Sequence, residues 1–109
     1  MPTTYKVLGQ SSPSATIAST LYTVPAATQT VVSTVTVANR AATAGTYRIA
    51  VRVNGATLAN SQYIAYDVSL PANASDTLTL GLTLGAADVV TIYASSADFS
   101  FGAFGSEIS

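Results

Sequence analysis

The sequence predicts an all-β protein: a two-sheet antiparallel β-sandwich, immunoglobulin-like, with a jelly roll as the alternative topology. Three observations carry this. Apolar residues recur at every second position, not on a 3.6-residue period. Turn signals return at intervals of about 8–12 residues. Between them, Thr, Val, Ile and Tyr dominate, and these residue types fit a pleated, half-buried surface. The immunoglobulin-like order is placed first because the chain, 109 residues long, is close to the size of that class, which runs to about 100 residues and about seven to nine strands.

The elements follow in order. "TYKVLGQ" and "STLYTV" read as short strands. Ser11, Ser12, Pro13 and Ser14 interrupt them, so residues 1–20 are expected to form an extended N-terminal arm and residues 21–109 the sandwich domain. Pro25 lies between strands, since proline cannot sit in a central ladder. "QTVVSTVTVAN" is a longer strand with Val31, Val35 and Val37 on one face. "NRAATAG" leads into "TYRIAVRVN", where Tyr47, Ile49, Val51 and Val53 face inward and Arg48, Ala50, Arg52 and Asn54 outward. Asn54-Gly55 is the strongest hairpin signal, because a type I′ turn needs positive φ at both central positions.

In "SQYIAYDVSL" the inward set is Ile64, Tyr66, Val68 and Leu70, which leaves Tyr63, Ala65, Asp67 and Ser69 outward. "DTLTLGLTL" turns Leu78, Leu80, Leu82 and Leu84 inward against Thr and Gly. "DVVTIYASS" and "DFSFGAFG" complete the set, with "LPANASD" and "LGAAD" as turns. The expected core includes Val35, Val37, Ile49, Val51, Leu80 and Leu82.

Composition then narrows function. Charged residues make up 8% of the chain, where an ordinary soluble domain carries about 25%. A net charge of −1 supplies neither a nucleic-acid footprint nor a polybasic membrane patch. No apolar run approaches the roughly 18 residues of a membrane span, and "MPTTYKVLGQ" lacks a signal peptide's basic start and apolar middle. With no cysteine there is no disulfide framework, so folding by burial alone in a cytosol is expected. A domain of this mass exposes roughly 5,600 Å², yet only nine side chains, four basic and five acidic, carry charge. So sparse a charge set suits either a wet, Thr/Ser-rich surface or one largely covered by other subunits.

Little in the chain can perform chemistry. Without His or Cys, the usual bases, nucleophiles and transition-metal ligands are missing. Asp67, Asp76, Asp88, Asp98 and Glu107 are dispersed, with no acidic cluster of calcium-loop spacing. Asn73-Ala74-Ser75 matches the glycosylation pattern but reads as a polar turn, and no Gly-rich phosphate loop is present. The expectation is no catalytic site, no cofactor and no metal. The candidate interface residues are Arg48, Arg52, Tyr63 and Asp67, since Arg and Tyr are enriched at binding hot spots. Asp67 is expected to pair across strands with the arginines.

"TYKVLGQ", "TLYTVPAATQTVVSTVTVANR", "YIAYDVSLPAN" and "DVVTIYASSADFSFGAFGSEIS" together resemble a family of small virion structural proteins of tailed bacteriophages, notably phages of cyanobacteria. The likeness runs over nearly the whole chain. It implies a non-enzymatic part of the virus particle: a capsid cement or decoration protein, or else a neck, tail or fibre component. It also implies virion location and partners among virion proteins, the major capsid protein or those of the neck and tail. It brings no catalytic residues. A homo-oligomer is expected, a trimer suiting a local threefold site, with neither nucleic acid nor membrane as partner. A carbohydrate-binding β-sandwich, using exposed tyrosines as sugar platforms, is the alternative of another class.

Overall fold

Strands with apolar residues at alternate positions can hide them only by pairing edge to edge and stacking face to face. The computed structural model, which describes residues 2–109, does so with eight strands. They are β1 (Thr3–Ser11), β2 (Ser19–Thr23), β3 (Gln29–Asn39), β4 (Gly45–Arg52), β5 (Tyr63–Leu70), β6 (Ser75–Leu84), β7 (Val89–Ala94) and β8 (Phe99–Ile108). One sheet has the order β1-β8-β3-β6 and the other β2-β7-β4-β5. Every pairing is antiparallel.

The molecule is therefore a two-sheet β-sandwich, and its strand order is that of the jelly-roll alternative. Only β4 and β5 are both consecutive in the chain and neighbours in a sheet. All other connections cross from one sheet to the other. An immunoglobulin sandwich would instead keep several consecutive strands paired within a sheet.

The arm expected over residues 1–20 is not shown. Met1 lies outside the described residues, and Thr3–Ser11 is an edge strand paired along its length with β8. Its polar residues misled because an edge strand buries little: Thr3 to Val7 are all exposed. At Gly9 the two sheets touch, and a Cβ there would run into the carbonyl oxygen of Leu21 on β2.

The core lies between the sheets. Val35, Val37 and Ile49 are fully buried, as expected, beside Val32, Val90 and Phe99. Tyr47 and Phe101 meet edge to face at 6.2 Å. The exposed area is 5482 Å², close to the roughly 5,600 Å² of a folded chain of this mass.

Four of the inward assignments fail, for one shared reason. A β-bulge sets two residues of one strand against one of its neighbour and breaks the alternation of facing at that point. On β6, Leu80 and Gly81 both lie opposite Ser33, between the pairs Val32–Leu82 and Thr34–Thr79. Gly81 takes a φ of +66°. Leu78 and Leu82 stay partly buried and Leu84 buried, but Leu80 is 39% exposed. On β3, Ser33 is the extra residue against β8, so Val32 faces the core in place of Val31. On β5, register shifts flank Ala65, so Ala65 packs on the core while Ile64 and Tyr66 are exposed.

The chain past β4 also departs from its pattern. Asn54 and Gly55 adopt the positive φ values that their turn type requires. They do not close a tight hairpin, because the ladder ends at Arg52 and β5 begins only at Tyr63. Segment 53–62 carries short 3-10 turns at Val53–Gly55 and Asn60–Gln62, and these contact β7 and β4. Val53 is consequently exposed and Val51 half-buried, whereas the outward-facing Ala50 and Thr91 are buried.

Candidate functional site

The candidate residues lie on the outer face of the β2-β7-β4-β5 sheet. Arg48 and Arg52 share this face because they stand four apart on β4, a separation of about 13 Å along a strand. Tyr93 of β7 is the register partner of Arg48. On the other side β5 bulges: Tyr66 and Asp67 together oppose Arg48, between the pairs Tyr47–Val68 and Ile49–Ala65. Asp67 sits at a φ of +50°, a left-handed conformation that Asp tolerates better than most residues.

The bulge brings carboxylate and ring to the guanidinium at once. Arg48 Nε donates to Asp67 Oδ1 at 2.6 Å and Nη2 to Oδ2 at 3.4 Å. The guanidinium carbon is 4.2 Å from the centroid of Tyr66 and 4.3 Å from that of Tyr93. Tyr63 meets Tyr66 edge to face at 4.9 Å. The bond to Asp67, first among the causes, raises the Arg48 pKa above its usual range, so the cation is permanent. An open cleft of about 350 Å³ lies beside the cluster, lined by Asn60, Tyr63 and Tyr66.

Arg52 does not join this cluster. Its Nε donates to Thr91 Oγ1 at 3.0 Å, and its Nη1 to the carbonyls of Ala56 at 3.1 Å and Gly55 at 3.4 Å. It holds segment 53–62 against the sheet. The two arginines are thus one platform residue and one loop tether. Of the four candidates, Arg48, Asp67 and Tyr63 come together.

Tyr66 was missed because strict alternation points it inward, and no glycine marks the bulge that turns it out. Tyr93 shares the outward parity of Thr91, and that parity is the signal that identifies it.

The other charged groups are largely engaged within the chain. Glu107 accepts from the Tyr22 hydroxyl and from Lys6 Nζ, the latter at 3.2 Å. Its pKa is lowered, first by the Tyr22 bond and then by Lys6. Tyr22, buried and held by Glu107, is pushed up to about 12. Asp76 accepts from Tyr47 at 2.8 Å, and burial followed by that bond raises the Tyr47 pKa. Asp88 accepts the Asn54 and Gly85 amides. Arg40 donates to Ser100 and Ser12. Among the described residues no three His, Cys, Asp or Glu side chains gather.

A shallow groove of about 480 Å³ crosses the outer face of the other sheet, between Gln10, Ser12, Thr36, Ser100 and Phe104. Ser and Thr residues, Gln10, Gly102 and two phenylalanines line it, without an acid–base pair. The Tyr–Arg platform is the more defined feature: a nearly neutral surface of rings packed on a paired guanidinium, suited to recognition by contact area and stacking. No protein-family model matches the chain, and no curated protein matches it in sequence.

Proposed function

We propose that this chain is a non-enzymatic structural protein of a tailed-phage virion, a capsid cement or decoration protein that binds the outer shell and stabilises it through subunit contacts. The observation that carries the reading is the platform on the β2-β7-β4-β5 sheet, where Arg48 is clamped between Tyr66 and Tyr93 and bonded to Asp67. Rigid Tyr and Arg side chains dominate binding energy at protein interfaces, and here they are ordered before any partner arrives. The strand resemblance supports the same role. Jelly rolls occur in viral capsid domains, and also in lectins and cupins, so the fold argues for the class by analogy alone.

The test is particle composition and rebinding. A shell component appears in many copies per particle, matching capsomer number; a neck or tail part appears in few. Wild-type protein should rebind stripped particles, whereas a folded Tyr66→Ala/Arg48→Gln double variant should lose in direct competition. Absence from purified particles, or equal incorporation of the variant, removes the reading.

One observation favours the carbohydrate-binding alternative: the cleft beside Asn60, Tyr63 and Tyr66 could seat a pyranose ring. Saturable binding of an oligosaccharide that is lost on Tyr63→Ala would establish it.

A further inference from the structure

Each four-stranded sheet ends in two edges, and an unprotected edge pairs with other chains. Three of the four edges here are blunted. Strand β2 has five residues and a register shift. Strand β5 is broken by two shifts. Strand β6 carries the Gly81 bulge, and its regular part, Ser75–Thr79, exposes only Ser and Thr.

The fourth edge differs. Its one register shift lies at Leu8, between the pairs Val7–Phe104 and Gly9–Ala103, and from Thr3 to Val7 β1 runs in unbroken register against Ile108 to Phe104. Tyr5 is 84% exposed and Val7 50% exposed.

The hydrogen-bond phase of β1 shows what this edge offers. The Ser109 amide donates to the Pro2 carbonyl at 3.2 Å, so Pro2–Ser109 is a bonded pair. Bonded pairs recur at every second residue of an antiparallel ladder. Thr4 and Lys6 are therefore tied to β8, and the N–H and C=O groups of Thr3, Tyr5 and Val7 point away from the sheet. The only charge on this stretch, Lys6, is neutralised by Glu107 of the same chain. Two such edges can meet without like-charge repulsion.

We infer that the Thr3–Val7 edge pairs antiparallel with the same edge of a second copy, across a twofold axis at Tyr5, joining two four-stranded sheets into one. The register is self-complementary: Tyr5 faces its own counterpart, and Thr3 faces Val7 in both directions. All three outward-pointing residues then exchange both backbone bonds with the partner, and the two Tyr5 rings lie side by side on one face. A five-residue edge with one large exposed ring per copy covers less than the roughly 1,200 Å² at which stable interfaces begin. The dimer is consequently concentration-dependent. The inference concerns the isolated chain and does not rest on the virion reading.

Sedimentation velocity over a dilution series, with residue-resolved amide exchange, tests it. The expected result is a monomer–dimer equilibrium in which the Tyr5 and Val7 amides gain protection as concentration rises. Tyr5→Lys sets two like charges against each other across the axis and should abolish both effects while the thermal melt stays cooperative. Should that variant lose its fold, Val7→Lys sets a lysine into the paired edge of each copy, opposite Thr3 of the other, and should likewise weaken the dimer. Ile17→Lys replaces an exposed apolar residue by the same charge off the edge and should dimerise normally. A monomer at every concentration, a trimer, a dimer that survives the folded edge variants, or dimerisation lost equally in Ile17→Lys overturns the inference.

Discussion

Arg48 owes its geometry to three neighbours from two strands, and a lysine cannot reproduce it. The planar guanidinium bonds Asp67 through two nitrogens while lying against two rings; an ammonium offers a point charge without that plane. Arg48→Lys should alter the near-ultraviolet circular dichroism of the tyrosines and leave the far-ultraviolet β signal in place. An unchanged tyrosine signal would show that the rings are held without the arginine. Asn39 is a contrasting single residue. It is fully enclosed, and its side-chain amide donates to the carbonyls of Thr43, Leu70 and Pro71 while its oxygen accepts from the Ala41 amide. Replacing it by alanine strands these groups and should cost roughly 1–3 kcal/mol in denaturant unfolding. That pairing of Arg48 with Asp67 was legible in sequence, because both sit at outward positions of adjacent strands. The role of Asn39 was not, since nothing local distinguishes it from any polar residue at a strand end.

At the scale of the strand, the bulges decide which residues are core. Leu84 of β6 is buried and Leu80 is not, although both stand at even positions of one alternating run. Leu84→Ala should cost roughly 2–5 kcal/mol through lost burial and a residual cavity, and Leu80→Ala less than half as much. Equal losses would mean that β6 runs without its bulge. Two glycines sharpen the same point. Gly105→Ala forces a Cβ into the Val31 carbonyl oxygen on β3, so it should unfold the sheet or shift its register. Gly81→Ala meets nothing within 4 Å and bears only the left-handed backbone cost, about 1–2 kcal/mol. Alternation in the sequence identified the strands, and the shifts within them stayed hidden because a bulge is a relation between two strands. "TLGLT" shows its glycine, but "VVSTV" and "YIAYDV" carry no such mark.

Across the whole molecule, two tyrosines bridge the sheets. Tyr22 of β2 reaches Thr30 on β3 and Glu107 on β8, and Tyr47 of β4 reaches Asp76 on β6. Their titration predicts a stability window. Glu107 has a folded pKa below its ordinary value, so it contributes stability that is present above the unfolded carboxyl pKa and lost as pH falls through the folded one. Glu107→Gln should flatten the acid limb of a plot of unfolding free energy against pH. Tyr22 behaves in the opposite sense. Its pKa is raised from 10.0 to about 12, so its contribution is complete below pH 10.0 and is lost as pH climbs towards about 12. Tyr47 shifts in the same direction. Ultraviolet titration of tyrosinate should show Tyr22 and Tyr47 ionising late, with stability falling as they do. Ionisation of Tyr22 and Tyr47 near 10.0 would break the bridges as drawn.

The sequence by itself determined the all-β class, the two-sheet sandwich, the identity of most strands, and an outward Arg48 and Asp67. These depend on alternation, turn residues and side-chain type, which are local properties of the chain. Tertiary structure alone decided the jelly-roll order, the conversion of residues 3–11 from expected arm to edge strand, and the arrival of Tyr66 beside Arg48. Each depends on which strand lies next to which. Alternation fixes the two faces of a strand but is silent about its neighbours, because an apolar face is equally well buried under either topology. Only the closed set of pairings, with its bulges and its Gly9 and Gly105 close approaches, selects one.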